Sequence, residues 1–114
     1  NIINNIRASN GLNQLVMDNT LIQIAGIRAK EITTNWSHTR PNGSEWWTLY
    51  SEFGIKGAYG ENLAYGQDTA SEVVNDWMNS EGHKENILSN RFNKIGIFIY
   101  NYNGTNYWVQ EFLN

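Results

Sequence analysis

The segment that most restricts the fold lies at the end of the chain. "KIGIFIY" (94–100) and "NYWVQEF" (106–112) flank Asn103-Gly104. Asn-Gly favours the primed two-residue turns that join antiparallel strands, so this pattern predicts a β-hairpin. Ile95, Ile97 and Ile99 alternate with Phe98 and Tyr100, which leaves both faces of the hairpin apolar. A sheet buried on both faces needs helices on each side. The predicted class is therefore α+β: a three-layer α-β-α sandwich with a mainly antiparallel sheet.

The upstream sequence supplies the helices. "NIINNIRASNG" places Ile2, Ile3 and Ile6 at helical spacing and stops at Gly11. A second helix is predicted from Asn19 or Thr20 to about Thr34, with Ile22, Ala25, Ala29 and Ile32 as its inner stripe. On that helix Arg28, Lys30 and Glu31 read as a solvated edge. "SHTRPNGSE" is a loop, because Pro41 restricts the residue before it and Asn42-Gly43 favours a turn. Ser44 is a candidate cap for a short helix carrying Trp46, Trp47 and Tyr50. The four glycines in residues 54–67 mark loop or short strand. Thr69 to Glu72 matches a capping box, opening a helix with Ala70, Val73, Val74, Trp77 and Met78 on one face. A turn of helix from Asn86 to Leu88 follows His83. Trp46-Trp47 and Tyr107-Trp108 read as core.

At 114 residues, 40% hydrophobic and 17% charged, the chain is a single globular domain, 1–114. A net charge of -3 argues against a nucleic-acid partner held by phosphate neutralisation. No apolar run reaches membrane-spanning length, so membrane insertion is not expected. The absence of cysteine excludes disulfides, zinc-thiolate sites and thiol catalysis. The first residue is Asn and no signal peptide is present, so we expect a mature or excised domain. The sequons at Asn35, Asn42 and Asn103 are expected to be unused, since chance explains them in so Asn-rich a chain.

Four ionisable residues stand apart from the apolar stripes: His38, Glu61, Glu81 and His83. Each lies in a loop or at a helix end beside glycine, proline or serine. Two imidazoles with one or two carboxylates suit an acid–base pair or a zinc site with an open position. Each also has a plainer reading. A histidine after a helix is commonly a hydrogen-bonded structural residue, Glu61 can bond nearby amides, and Glu81 can favour a helix N-terminus. Gly60 and Gly82 immediately precede Glu61 and His83, where glycine would let backbone approach closely.

"SHTRP", "GENLAYG", "WMNSEGHKENIL" and "IGIFIY…YWVQEF" occur in this order and spacing, after "IRASNGL" and "AGIRAKEI". Together they resemble the CAP superfamily, the group of cysteine-rich secretory, antigen 5 and pathogenesis-related 1 proteins, over essentially the whole chain. The lack of cysteine resembles its bacterial, SCP-like branch. The resemblance implies an α-β-α sandwich and an extracellular or cell-surface location. It also implies a cleft in which His38, Glu61 and His83 meet, with His38 and His83 binding Zn2+ as in some members. Many members carry a second acid three residues after the helix tryptophan. Here that residue is Ser80, and Glu81 is one further on.

Two functions follow as expectations. The first is a secreted, monomeric binding module whose polar cleft engages a cell-wall, lipid or protein ligand. The alternative is a metal-assisted or acid–base hydrolase of peptide or peptidoglycan-type bonds, with Glu61 as base and His38, His83 and Glu81 around it. A serine nucleophile, Ser37 or Ser80, is a weaker variant, because neither has the context of a nucleophile elbow.

Overall fold

The computed structural model describes residues 2–114. Its elements run α1 (Ile2–Ser9), β1 (Val16–Met17), α2 (Asn19–Thr34), α3 (Thr48–Glu52), β2 (Tyr59–Tyr65), α4 (Ala70–Met78), α5 (Glu81–Leu88), β3 (Lys94–Tyr102) and β4 (Thr105–Leu113). The strands form one sheet in the order β1-β3-β4-β2. Only the β1–β3 pair is parallel; β3–β4 and β2–β4 are antiparallel. The hairpin turns at Asn103 and Gly104, with φ of 52° and 81°. Positive φ at both central residues is the primed turn that Asn-Gly accommodates.

Strand alternation sends successive residues of β4 to opposite layers. Trp108 and Phe112 join a core with Ile3, Val73, Val74, Trp77 and Ile87 from α1, α4 and α5. On the other face Val109 packs with Ala25, Ala29 and Ile32 of α2, while Leu113 packs with Leu21, Ile24, Leu49 and Tyr50. The predicted sandwich is the observed one. Its layers touch closely at Gly96 of β3, where an added Cβ would overlap the backbone of Leu21 and Ile22.

The helix signals hold with local adjustments. Asp18 caps α2, its Oδ2 accepting from the Leu21 amide at 3.0 Å. Thr69 caps α4 through Oγ1, while Glu72 Oε1 reaches back to the Asp68 amide rather than to Thr69. Trp77 is buried, and its indole N–H donates to the Leu63 carbonyl at 3.0 Å.

Three details differ from expectation. β1 has no counterpart in the sequence pattern, since a two-residue strand has no periodicity to read. Ser44 does not cap α3; its amide and hydroxyl are both tied to Asn42 Oδ1, and Trp46 and Trp47 precede the helix. Trp47 is correspondingly exposed. α5 begins at Glu81, so His83 lies within the helix rather than before it.

Candidate functional site, a histidine cleft backed by buried carboxyls

The site is built outward from Glu61. Alternation along β2 points Glu61 at α2, and Arg28 occupies the inner stripe of that helix between Ala25, Ala29 and Ile32. Arg28 donates from Nε to Glu61 Oε2 at 2.8 Å and from Nη2 to Oε1 at 3.1 Å. Its remaining contacts fasten the surroundings: Nη1 bonds Glu31 Oε1 and Nη2 bonds the Ser37 carbonyl, both at 2.8 Å. Arg28 is 0% exposed, so the expected solvated edge is wrong at this residue. A guanidinium enters a core when its donors are met by carboxylates and carbonyls, as they are here.

The Ser37 contact places His38. Its Nδ1 lies 2.9 Å from Glu61 Oε1. A carboxylate only accepts, so Nδ1 carries the hydrogen and neutral His38 keeps Nε2 as an acceptor. The ring stays open to solvent, with 51% of the side chain exposed. The loop itself is held by Asn35 Nδ2 donating to the Thr39 carbonyl and by Ser37 Oγ accepting from the Thr39 amide.

His83 approaches from the opposite layer. Asn62, next to Glu61 on β2, donates to the His83 carbonyl at 3.2 Å and to Gln110 Oε1 at 3.1 Å. Asn86 Nδ2 donates to Asn62 Oδ1 and to the Glu61 carbonyl. These bonds seat α5 on the strand that carries Glu61. The imidazole bonds Ser80 Oγ through Nδ1 at 2.8 Å. The serine at the family's second-acid position therefore holds His83. Burial lowers the pKa of His83, and the charge of His38 lowers it further.

Burial alone would raise the pKa of Glu61. Hydrogen bonds with Glu111, His38 and Arg28, together with the charge of Arg28, outweigh it and hold Glu61 below the usual carboxylate range. Glu61 is thus the fixed anion behind His38.

Two expectations need correction. Glu81 does not join the cleft: it is exposed in the first turn of α5 and lines a separate surface groove with Met78, Lys84 and Arg91. The zinc arrangement also does not fit. Among the described residues no group of three His, Cys, Asp or Glu side chains could hold a metal ion. The physical reason is that Glu61 is wholly buried in its ion pair with Arg28, which leaves the two imidazoles as the exposed donors. Two imidazoles fall short of the three protein ligands of a catalytic zinc site. Of the two glycines, Gly60 is needed, since a Cβ there would sit 2.8 Å from the Phe92 ring; Gly82 has nothing within 4 Å.

Sequence reasoning missed Arg28, Tyr50 and Glu111, which surround Glu61. Arg28 and Glu111 left a readable signal: each is a charged residue at an inward position of an otherwise apolar stripe, Glu111 lying between Val109 and Leu113.

This fold is that of a known family. The CAP model, described as the cysteine-rich secretory protein family, matches residues 1–112, and the chain belongs to that family. It is 37% identical over 110 residues to the uncharacterised protein YkwD of Bacillus subtilis, covering 94% of this chain and 42% of YkwD. It thus spans less than half of that relative. Among solved structures, it resembles an extracellular protein containing an SCP domain from Bacillus anthracis (TM-score 0.88, 25% identity, 99% of this chain and 38% of that one). It also resembles an outer surface protein of Borrelia burgdorferi (TM-score 0.90, 27% identity, 99% of this chain and 86% of that one). Among the described residues no helix is long and apolar enough to cross a membrane.

Proposed function

We propose that this CAP domain is a binding module acting outside the cell, and that its cleft takes a cell-envelope ligand, the glycan of the cell wall. The observation that carries the binding reading is the state of Glu61. Its side chain is wholly buried, paired with Arg28 and bonded to His38, so it orients His38 and does not reach a substrate in the open. The cleft offers imidazole edges for hydrogen bonding.

The glycan class draws support from the rim. Trp36 and Tyr65 are 49% and 52% exposed and meet edge to face at 4.6 Å. Trp36 is two residues from His38 in the same loop, and Tyr65 is four residues from Glu61 along β2. An even spacing on a strand keeps Tyr65 on the face that carries Glu61. Tyr107 continues the row 5.9 Å from Tyr65. Amphipathic rings beside hydrogen-bonding side chains suit a sugar, which presents C–H faces and hydroxyls together. The extracellular and outer-surface proteins that share this fold agree with such a setting.

Co-sedimentation with purified cell-wall sacculi tests this reading. The wild type should pellet with them, and W36A/Y65A and H38A should each weaken binding at least about tenfold, the loss expected when a contact worth about 1.4 kcal/mol is removed. Equal pelleting of all three proteins, or none by the wild type, overturns it.

One observation favours a second reading, acid–base hydrolysis. A carboxylate bonded to His38 Nδ1 is the arrangement that orients an imidazole as general base through Nε2. Release of soluble muropeptides or peptides by the wild type, and not by H38A, would establish that reading instead.

A further inference from the structure

We infer that Glu111 is the second acid of this site: a neutral carboxylic acid that donates its proton to Glu61 and so fixes Glu61 as the anion behind His38. The inference concerns the built site and stands apart from what the cleft binds.

The placement comes from the sheet. Glu111 on β4 is directly opposite Glu61 on β2, and alternation turns both toward α2 and α3. Glu111 is 0% exposed. The groups facing it can be named element by element. α2 presents Arg28, α3 presents Tyr50, β2 presents Glu61, and β3 presents Gly96, which has no side chain. Arg28 is the one cation among these, and its Nε, Nη1 and Nη2 already serve Glu61, Glu31 and the Ser37 carbonyl. No ion pair reaches Glu111 among the described residues.

Counting hydrogens then shows a shortage. The Tyr50 hydroxyl lies 2.9 Å from the Phe112 carbonyl and 3.0 Å from Glu111 Oε1, and it has one hydrogen to give. Glu111 Oε2 is buried with no donor facing it. Glu61 and Glu111 are a directly opposite cross-strand pair on one face of the sheet, and the acidity of each is set in part by a hydrogen bond to the other. Two ionised carboxylates have no hydrogen to place between them, and an unpaired buried carboxylate is strongly disfavoured. One added proton on Glu111 resolves the contact: it bonds Glu61, and Tyr50 remains free to donate. Where two carboxyls share a site, one is driven neutral. Arg28 and His38 hold the charge on Glu61, so the proton belongs to Glu111. Burial, reinforced by the charge of Glu61, pushes Glu111 well above the usual carboxylate range, in agreement with this assignment.

Glu111 is a positioning residue. It does not touch the open cleft. Its O–H engages Glu61 from behind, leaving Oε1 turned to His38 Nδ1 and the imidazole in the tautomer with Nε2 free.

Infrared difference spectra in D2O at neutral pD, wild type against E111Q, test the assignment. The wild type should show the C=O stretch of a buried protonated carboxylic acid, and E111Q should lose it. Nitrogen-15 NMR of neutral His38 gives the second readout. E111Q retains a neutral donor and should keep the Nδ1–H tautomer, whereas E111L should lose that preference. Absence of the acid band from the wild type, or its persistence in E111Q, overturns the inference. If E111L does not fold, the wild-type and E111Q spectra still decide.

Discussion

Arg28 and Glu61 form a two-point ion pair between α2 and β2, at 2.8 and 3.1 Å, with both side chains wholly inside the protein. The pair bolts one helix layer to the sheet and anchors the loop of His38 through the Ser37 carbonyl. Removing one partner leaves a buried charge without compensation, which costs about 3–5 kcal/mol. R28A should therefore lose about that much stability in urea denaturation. A loss below about 1 kcal/mol would mean that the site is open to water.

Trp77 anchors the opposite layer. Its ring is buried among Val73, Val74 and Trp108, and its N–H is satisfied by Leu63. Trp77→Ala should cost about 3–5 kcal/mol by cavity formation. Trp77→Phe should cost less, leaving the Leu63 carbonyl without its indole partner, and the two denaturation midpoints should order accordingly.

The two glycines beside the site should behave oppositely. A Cβ at Gly60 would lie 2.8 Å from Phe92 and 3.1 Å from Asn86 Oδ1, pushing α5 from the strand. Gly82 sits within α5 with open space around it. G60A should lower the melting temperature. G82A should raise it, since alanine is favoured over glycine inside a helix by about 1 kcal/mol. The reverse order would refute the placement of α5.

His83 reports on convergence of the histidines. Its folded pKa is lowered, first by burial and then by His38. The unfolded chain therefore takes up the proton first as pH falls. The contribution of His83 to stability is full above its unfolded value of about 6.5 and is lost as pH drops through the folded value. H38Q removes the smaller cause, so the NMR titration of His83 should move part of the way upward. An unmoved titration would show that the imidazoles do not face each other.

Glu111 gives the opposite sign. Its folded pKa is raised, so above about pH 4.3 the unfolded chain loses a proton that the folded one keeps. Its stabilisation is complete below that pH and declines as pH rises toward the folded value. Gln does not titrate, so the melting temperature of E111Q relative to wild type should climb as the pH is raised from about 4 to about 8. A difference independent of pH would contradict a neutral Glu111 in the folded state.

The layers were legible because hairpin and helices obey strict periods: two-sided apolarity around Asn103-Gly104, and the spacing of Val73, Val74 and Trp77. The bond between His38 and Glu61 agrees with the motifs that carry them. What supports them left only a charge on an apolar stripe, at Arg28 and Glu111, with nothing to name its partners. Arg28 looked like a surface residue because charge is normally solvated. Its burial depends on Glu61, 33 positions away, and on a helix–strand contact that local sequence does not encode. Glu111 was hidden for the same reason, since its partners Glu61 and Tyr50 meet it only when β2, β4 and α3 assemble. Glu81 was over-read because it is close to His83 in sequence, whereas a helix turns adjacent residues to different sides.

The sheet order β1-β3-β4-β2 makes the last strand an inner one. β4 pairs with β3 on one side and β2 on the other, and it carries residues of all three cores. During synthesis, β2 must wait without a partner until residues 105–113 arrive. A stop or a proteolytic cut just ahead of β4 would remove the spine of the sheet rather than trim its margin. For this domain, being finished and being folded are nearly the same event.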